Sequence, residues 1–137
     1  MTVEYLQVSN GASLPDINRL KPYKSVVVIE SPVSPDWQAT ASKWLVESGC
    51  LYMMAWGNEC TAWDDSVDLA CLEKFNFGDI ADKDFVRTTW HDWEPLEEVF
   101  WFAKNCAFHS EELDNTLILH ISATGKSDEF LKMYAST

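Results

Sequence analysis

Three short apolar runs limit what this chain can fold into. Ser25–Glu30 (SVVVIE), Cys50–Trp56 (CLYMMAW) and Thr116–Ser122 (TLILHIS) are rich in β-branched or large apolar residues and lack strict polar alternation. That pattern belongs to strands covered on both faces of a parallel sheet. A fourth run, Phe85–Trp90 (FVRTTW), is more polar and leads into the turn Trp90-His91-Asp92-Trp93-Glu94.

Helical patterns separate these runs. Ser34-Pro35-Asp36 predicts a helix start, with Ser34 as N-cap and Pro35 in the first turn. Trp37, Ala41, Trp44, Leu45 and Ser48 then share a face, and Gly49 is suited to a left-handed stop. Thr61-Ala62-Trp63-Asp64 has capping-box spacing with Asp in place of Glu, opening a helix with Trp63, Val67, Ala70 and Cys71 on one side. A third helix follows Pro95, with Leu96, Val99, Phe100, Ala103, Cys106 and Ala107 at helical spacing. Ser127 caps a short last helix that turns Phe130, Leu131 and Tyr134 inward.

Strands alternating with single helices predict an α/β fold. The expected form is one open, mostly parallel four-stranded sheet, (β-α)x4, with helices on both faces. Val3–Val8 alternates weakly and is compatible with an extra N-terminal edge strand. Residues 1–24 are read as an N-terminal extension packed on the domain, and 25–137 as a Rossmann-like α/β domain. The default order of the four main strands is 2-1-3-4, although Arg87, Thr88 and Thr89 suit a half-exposed strand better than a central one.

A chain of 137 residues, 47% of them hydrophobic, can bury a core without disulfide or metal staples. Ten basic against 22 acidic residues leave a formal charge of −12. Such a field disfavours nucleic acid and anionic membranes and favours a basic protein partner. No apolar run approaches a membrane span, and the first residues carry no signal pattern, so a cytoplasmic protein is expected. Cys50, Cys60, Cys71 and Cys106 have no metal-ligand or redox spacing and read as small buried hydrophobes. No pattern calls for a metal or a cofactor. Gly125-Lys126-Ser127 resembles the end of a phosphate loop, but that motif needs glycine where this chain has His120.

In open parallel sheets, ligands bind outside the carboxyl ends of the strands. There the sequence gathers Glu30, the Trp56–Cys60 turn, the Trp90–Glu94 turn and Ser122–Gly125, with Asp64 and Asp65 at the start of the second helix. Asp64 and Asp65 are explained by the helix dipole or by a hydroxyl or cation to bind. His91 with Asp92 and Glu94 offers a proton shuttle or nitrogen and oxygen ligands. His120, inside an apolar strand, reads as a core histidine with its hydrogen bonds satisfied, and His109 as a cation near the end of the third helix.

Two stretches, SGCLYMMAWGNECTAWDDSVD (Ser48–Asp68) and TTWHDWEPLEEVFWFAK (Thr88–Lys104), with LILHIS (Leu117–Ser122), resemble an uncharacterised family of small bacterial Rossmann-like proteins of unassigned function. The resemblance spans most of Ser25–Ser122. It implies a bacterial or phage origin and one compact α/β domain. It supplies no activity, so no residue roles carry over.

Two functional readings fit these residues. The first is a small acidic binding protein that docks on a basic protein partner and, as immunity proteins do with toxins, neutralises it. Its contact surface would use Trp63, Asp64, Asp65, Trp90, His91, Asp92 and Trp93, aromatic anchors among acids. The second is a small Rossmann-like enzyme or a nucleotide or sugar sensor in the strand-end crevice. There His91 would be the acid/base group, Asp64 or Glu30 the second carboxylate, and the tryptophans a stacking platform.

Overall fold

In a computed structural model that describes residues 2–137, ten elements follow one another. They are β1 (Thr2–Val8), a 3-10 turn (Asn18–Leu20), β2 (Tyr23–Ile29), α1 (Pro35–Glu47), β3 (Cys50–Gly57), α2 (Cys60–Lys74), β4 (Arg87–His91), α3 (Leu96–Asn105), β5 (Asn115–Ile121) and α4 (Ser127–Ser136). The five strands form one sheet in the order β1-β5-β2-β3-β4, every pair parallel. The open parallel α/β sheet expected from the sequence is present, with Thr2–Val8 as its fifth, outer strand.

The default order is corrected. The TLILHIS strand lies between β1 and β2, and the FVRTTW strand occupies an edge. Two successive crossovers run in one direction, because α1 and α2 pack on the same face through the edge-to-face pair Trp37–Trp63 at 6.3 Å. α3 then carries the chain back across the other face, where it packs with α4 through Phe100, Phe130 and Tyr134. Right-handed crossovers require this change of face when the direction reverses. β2 is buried along its whole length, whereas β4 exposes Arg87 and Trp90 and belongs at the edge.

Several boundaries move for identifiable reasons. β2 begins at Tyr23 because the Tyr23 hydroxyl pairs with Ser48 Oγ at 2.8 Å and the buried Lys24 donates through Nζ to the Ala103 carbonyl at 2.5 Å. α1 opens as expected, with Ser34 Oγ accepting the Trp37 N–H at 3.2 Å. α2 does not open on a capping box. The chain turns sharply through Gly57-Asn58-Glu59, with Glu59 left-handed at φ 53°, so Thr61 and Asp64 already lie inside the helix. Lys126 rather than Ser127 takes the cap position of α4. β4 starts two residues later than read and ends on His91.

Candidate functional site

β4 alternates its side chains between two helices. Thr88 reaches α2, its hydroxyl donating to Asp68 Oδ1 at 2.7 Å. His91 faces α3, its ring edge-on to Phe102 with centroids 5.0 Å apart. His91 is buried and both ring nitrogens are occupied. Nε2 accepts from the Thr89 hydroxyl at 2.9 Å, and Nδ1–H donates to the Glu94 carboxylate at 3.1 Å. The Trp56 indole donates to the Glu94 carbonyl at 2.7 Å. His91 and Glu94 therefore brace the turn, with both His91 ring nitrogens engaged by protein groups. Among the described residues, no group of three or more His, Cys, Asp or Glu could hold a metal ion.

The braced turn turns its tryptophans outward: Trp93 is 91% exposed and Trp90 51%, with Asp92 and Asp65 also exposed. The expectation that Trp63, Asp64 and His91 share this surface is corrected, and His91 is buried. Trp63 is 1% exposed, packed on Trp37, and Asp64 is 7% exposed. Both follow the inward stripe of Val67, Ala70 and Cys71, which the helix buries. Nor does the helix dipole account for Asp64 and Asp65, since no acid occupies the first turn of α2. Cys50, Cys60 and Cys71 are buried free thiols and Cys106 is partly so. Burial pushes the Cys60 thiol up, away from nucleophile chemistry.

Exposed apolar side chains are concentrated in one part of the chain, which periodicity alone does not signal. Among the described residues, all eight exposed large hydrophobics belong to the stretch from α2 to the α3–β5 loop. Leu69 and Leu72 are on α2, Phe77 and Phe85 in the α2–β4 loop, Trp90 and Trp93 on the β4 rim, Trp101 on α3, and Phe108 beyond it. Phe108 neighbours His109, which lies past the helix end and donates through Nε2 to the Phe85 carbonyl at 2.7 Å. The same stretch, Glu59 to Glu112, holds 14 of the 22 acidic residues and only four of the ten basic ones. Trp90 and Trp93 lie at the open edge of β4, whereas Leu69 faces the groove between α1 and α2 and Trp101 is on the opposite face of the sheet from α2. No exposed large hydrophobic lies on β1 or α4, at the opposite edge.

A second polar cluster sits where the strand order reverses, between the carboxyl ends of β2 and β5. Here the Tyr5 hydroxyl accepts the Lys126 backbone N–H at 2.8 Å and meets His120 Nδ1 at 2.6 Å. With its oxygen accepting, Tyr5 gives its one proton to Nδ1, so Nε2 of the fully buried His120 donates to Glu30 Oε1 at 2.5 Å. Lys126 Nζ closes the ring on Glu30 Oε2 at 3.3 Å. His120 is a core histidine with both nitrogens satisfied, as read. Its partners, on β1 and at the end of β2, left no local signal in the sequence.

Partial burial opposes ionisation of Glu30, but the bonds from His120 and Lys126 outweigh it and hold the carboxyl below its ordinary value of 4.5. A pKa lower in the folded than in the unfolded chain adds stability that is complete above the ordinary value. That stability is lost as pH falls through the folded value. Glu30→Gln is therefore expected to cost stability at neutral pH and to narrow its gap to the wild type near pH ~4 and below. Urea unfolding at the two pH values measures this, and a gap that widens on acidification would contradict it.

The fold and rim together define an acidic, open parallel α/β domain with one apolar edge. Residues 3–137 match the model of a family described as Domain of unknown function (DUF7684), and the chain belongs to that family. No curated protein and no solved structure matches it.

Proposed function

We propose that this is a small acidic binding protein that docks on a basic protein through the β4 side of the sheet. The observation that carries the reading is the exposure of Trp90 and Trp93 on the β4 rim and of Phe85 just ahead of it, in the stretch that holds most of the chain's acids. Monomers seldom leave large apolar patches rimmed by polar groups uncovered without a binding role. Tryptophan at a rim of acids supplies an anchor and the steering charge for a cationic surface. A second copy of the chain would set two like-charged faces against each other, so a basic partner fits better. On this reading the protein is cytoplasmic and bacterial, and docking neutralises the partner in the manner of immunity proteins.

The test is capture from a lysate of the native host at low and moderate salt. A stoichiometric basic protein that is released as salt rises is expected. Trp93→Ala combined with Asp92→Ala should lower its affinity by about thirtyfold or more, equivalent to ~2 kcal/mol, without changing thermal stability. Unchanged affinity in that variant would remove the proposed surface.

One observation favours a second reading, a small-ligand sensor or enzyme. The Glu30 carboxylate, 30% exposed, stands beside Lys126 at the point where strand order reverses. Stabilisation of the wild type but not of Glu30→Gln by a nucleotide or sugar would support it.

A further inference from the structure

Between α2 and the approach to β4 lies a cleft of about 230 Å³, lined by Asp68, Cys71, Leu72, Phe85 and Val86. That is room for one long side chain, on the order of seven or eight waters. Four of the five lining residues are apolar, and Asp68 alone is charged. Thr88 fixes the Asp68 carboxylate by its 2.7 Å hydrogen bond.

One helical turn earlier, on the same face of α2, lies Asp64. Its residue surface is more than nine-tenths buried, and Oδ1 has no hydrogen-bond partner. Burial pushes this carboxyl above the usual range. The charges of Asp68 and Asp65 push it the same way as burial. Among the described residues, neither Asp64 nor Asp68 is in an ion pair. Lys74, six residues beyond Asp68, lies over the Phe75 ring, and Arg87 takes the opposite face of β4 from Thr88.

An apolar occupant would bury the Asp68 charge uncompensated, which is unfavourable. A cation would offset the Asp68 charge. A lysine or arginine side chain supplies that charge on a stem that packs well against apolar walls.

We propose that this cleft receives one lysine or arginine side chain of the partner. The stem would lie against Leu72, Phe85 and Val86, with the cationic head at Asp68, one turn of α2 from the buried Asp64. The inference rests on the reading of the β4 side as a docking surface and adds the chemistry of the partner's anchor.

The test needs no knowledge of the partner. N-acetyl-arginine amide and its uncharged citrulline counterpart are titrated at millimolar concentrations into the isotope-labelled protein, and backbone amide shifts are followed. Saturable shifts at Asp68, Leu72, Phe85 and Val86 with the arginine probe are expected, with the citrulline probe weaker by about tenfold. Asp68→Asn keeps an acceptor for Thr88 and should weaken the arginine probe to a similar degree. Asp64→Asn, read separately, guards against a folding defect in the first variant. Equal binding of the two probes, shifts confined to other surfaces, or an arginine affinity untouched by both substitutions would overturn the proposal.

The two proposals fail separately. A captured basic partner that binds Asp68→Asn at full strength overturns the cleft and leaves the docking surface standing. An arginine probe that binds as expected supports the cleft even where no partner is captured.

Discussion

Trp63→Ala is expected to cost about 3–5 kcal/mol of stability, whereas Trp93→Ala should stay within about 0.5 kcal/mol of the wild type. The two residues are of one type and only 30 positions apart, yet their surroundings differ completely. Trp63 is buried against Trp37 among the side chains that join α1, α2 and β3. Its removal leaves a cavity that a close-packed layer cannot collapse to fill. For a chain of this length, the loss corresponds to a fall in melting temperature of about 10–20 °C. Trp93 is exposed over nearly its whole surface and has little packing to lose. Thermal unfolding of the two variants side by side measures the contrast. Similar melting temperatures would mean that α2 does not pack as described.

The second large effect is expected at Gly57, the last residue of β3. Its φ is 104°, in a region that side chains rarely adopt, and a Cβ would press well inside contact distance of the Ile29 carbonyl oxygen. That oxygen accepts the Asn58 N–H at 2.9 Å, so the backbone cannot retreat without losing the bond that starts the turn into α2. Gly57→Ala should cost about 3 kcal/mol or more, combining backbone strain with the clash. Gly11 provides the control: its φ is 81°, but a Cβ there would meet nothing within 4 Å. Gly11→Ala should cost only about 1 kcal/mol. Equal losses at the two sites, read from urea midpoints, would show that strain alone acts and that the close approach at Ile29 does not.

Much of the fold was legible because burial on two faces leaves a mark on sequence. SVVVIE, CLYMMAW and TLILHIS became β2, β3 and β5 with small shifts at their ends. Strand order was not legible in the same way, since periodicity records how deeply a strand is buried and not which strand lies beside it. The polar character of Arg87, Thr88 and Thr89 carried the one usable hint, and it pointed to the edge that β4 occupies.

At the rim, sequence separated Trp90, Asp92 and Trp93 from the core but misplaced Trp63 and Asp64. Trp63 belongs to the inward stripe that its own helical spacing displays, and packing follows the stripe. His91 looked free because its bracing partners, Thr89 and Glu94, are local and ordinary in the sequence. The reverse holds for the cleft residues. Asp68 and Leu72 share a face of α2, but Phe85 lies 13 positions further on, so only the packing of α2 against the approach to β4 brings it to them.

The strand order also determines the sequence in which the sheet can be completed. β5 is inserted between two strands that precede it in the chain by more than 80 residues. During synthesis from the N-terminus, β2, β3 and β4 can pair in the order in which they emerge. β1 has no neighbour until Asn115–Ile121 exists, and until then β2 presents one full edge of unpaired backbone groups. Any nascent chain that stops short of β5 therefore holds the β4 rim in place while its middle is still an open edge. The seam that joins the two ends of the polypeptide is the last part of the sheet to close.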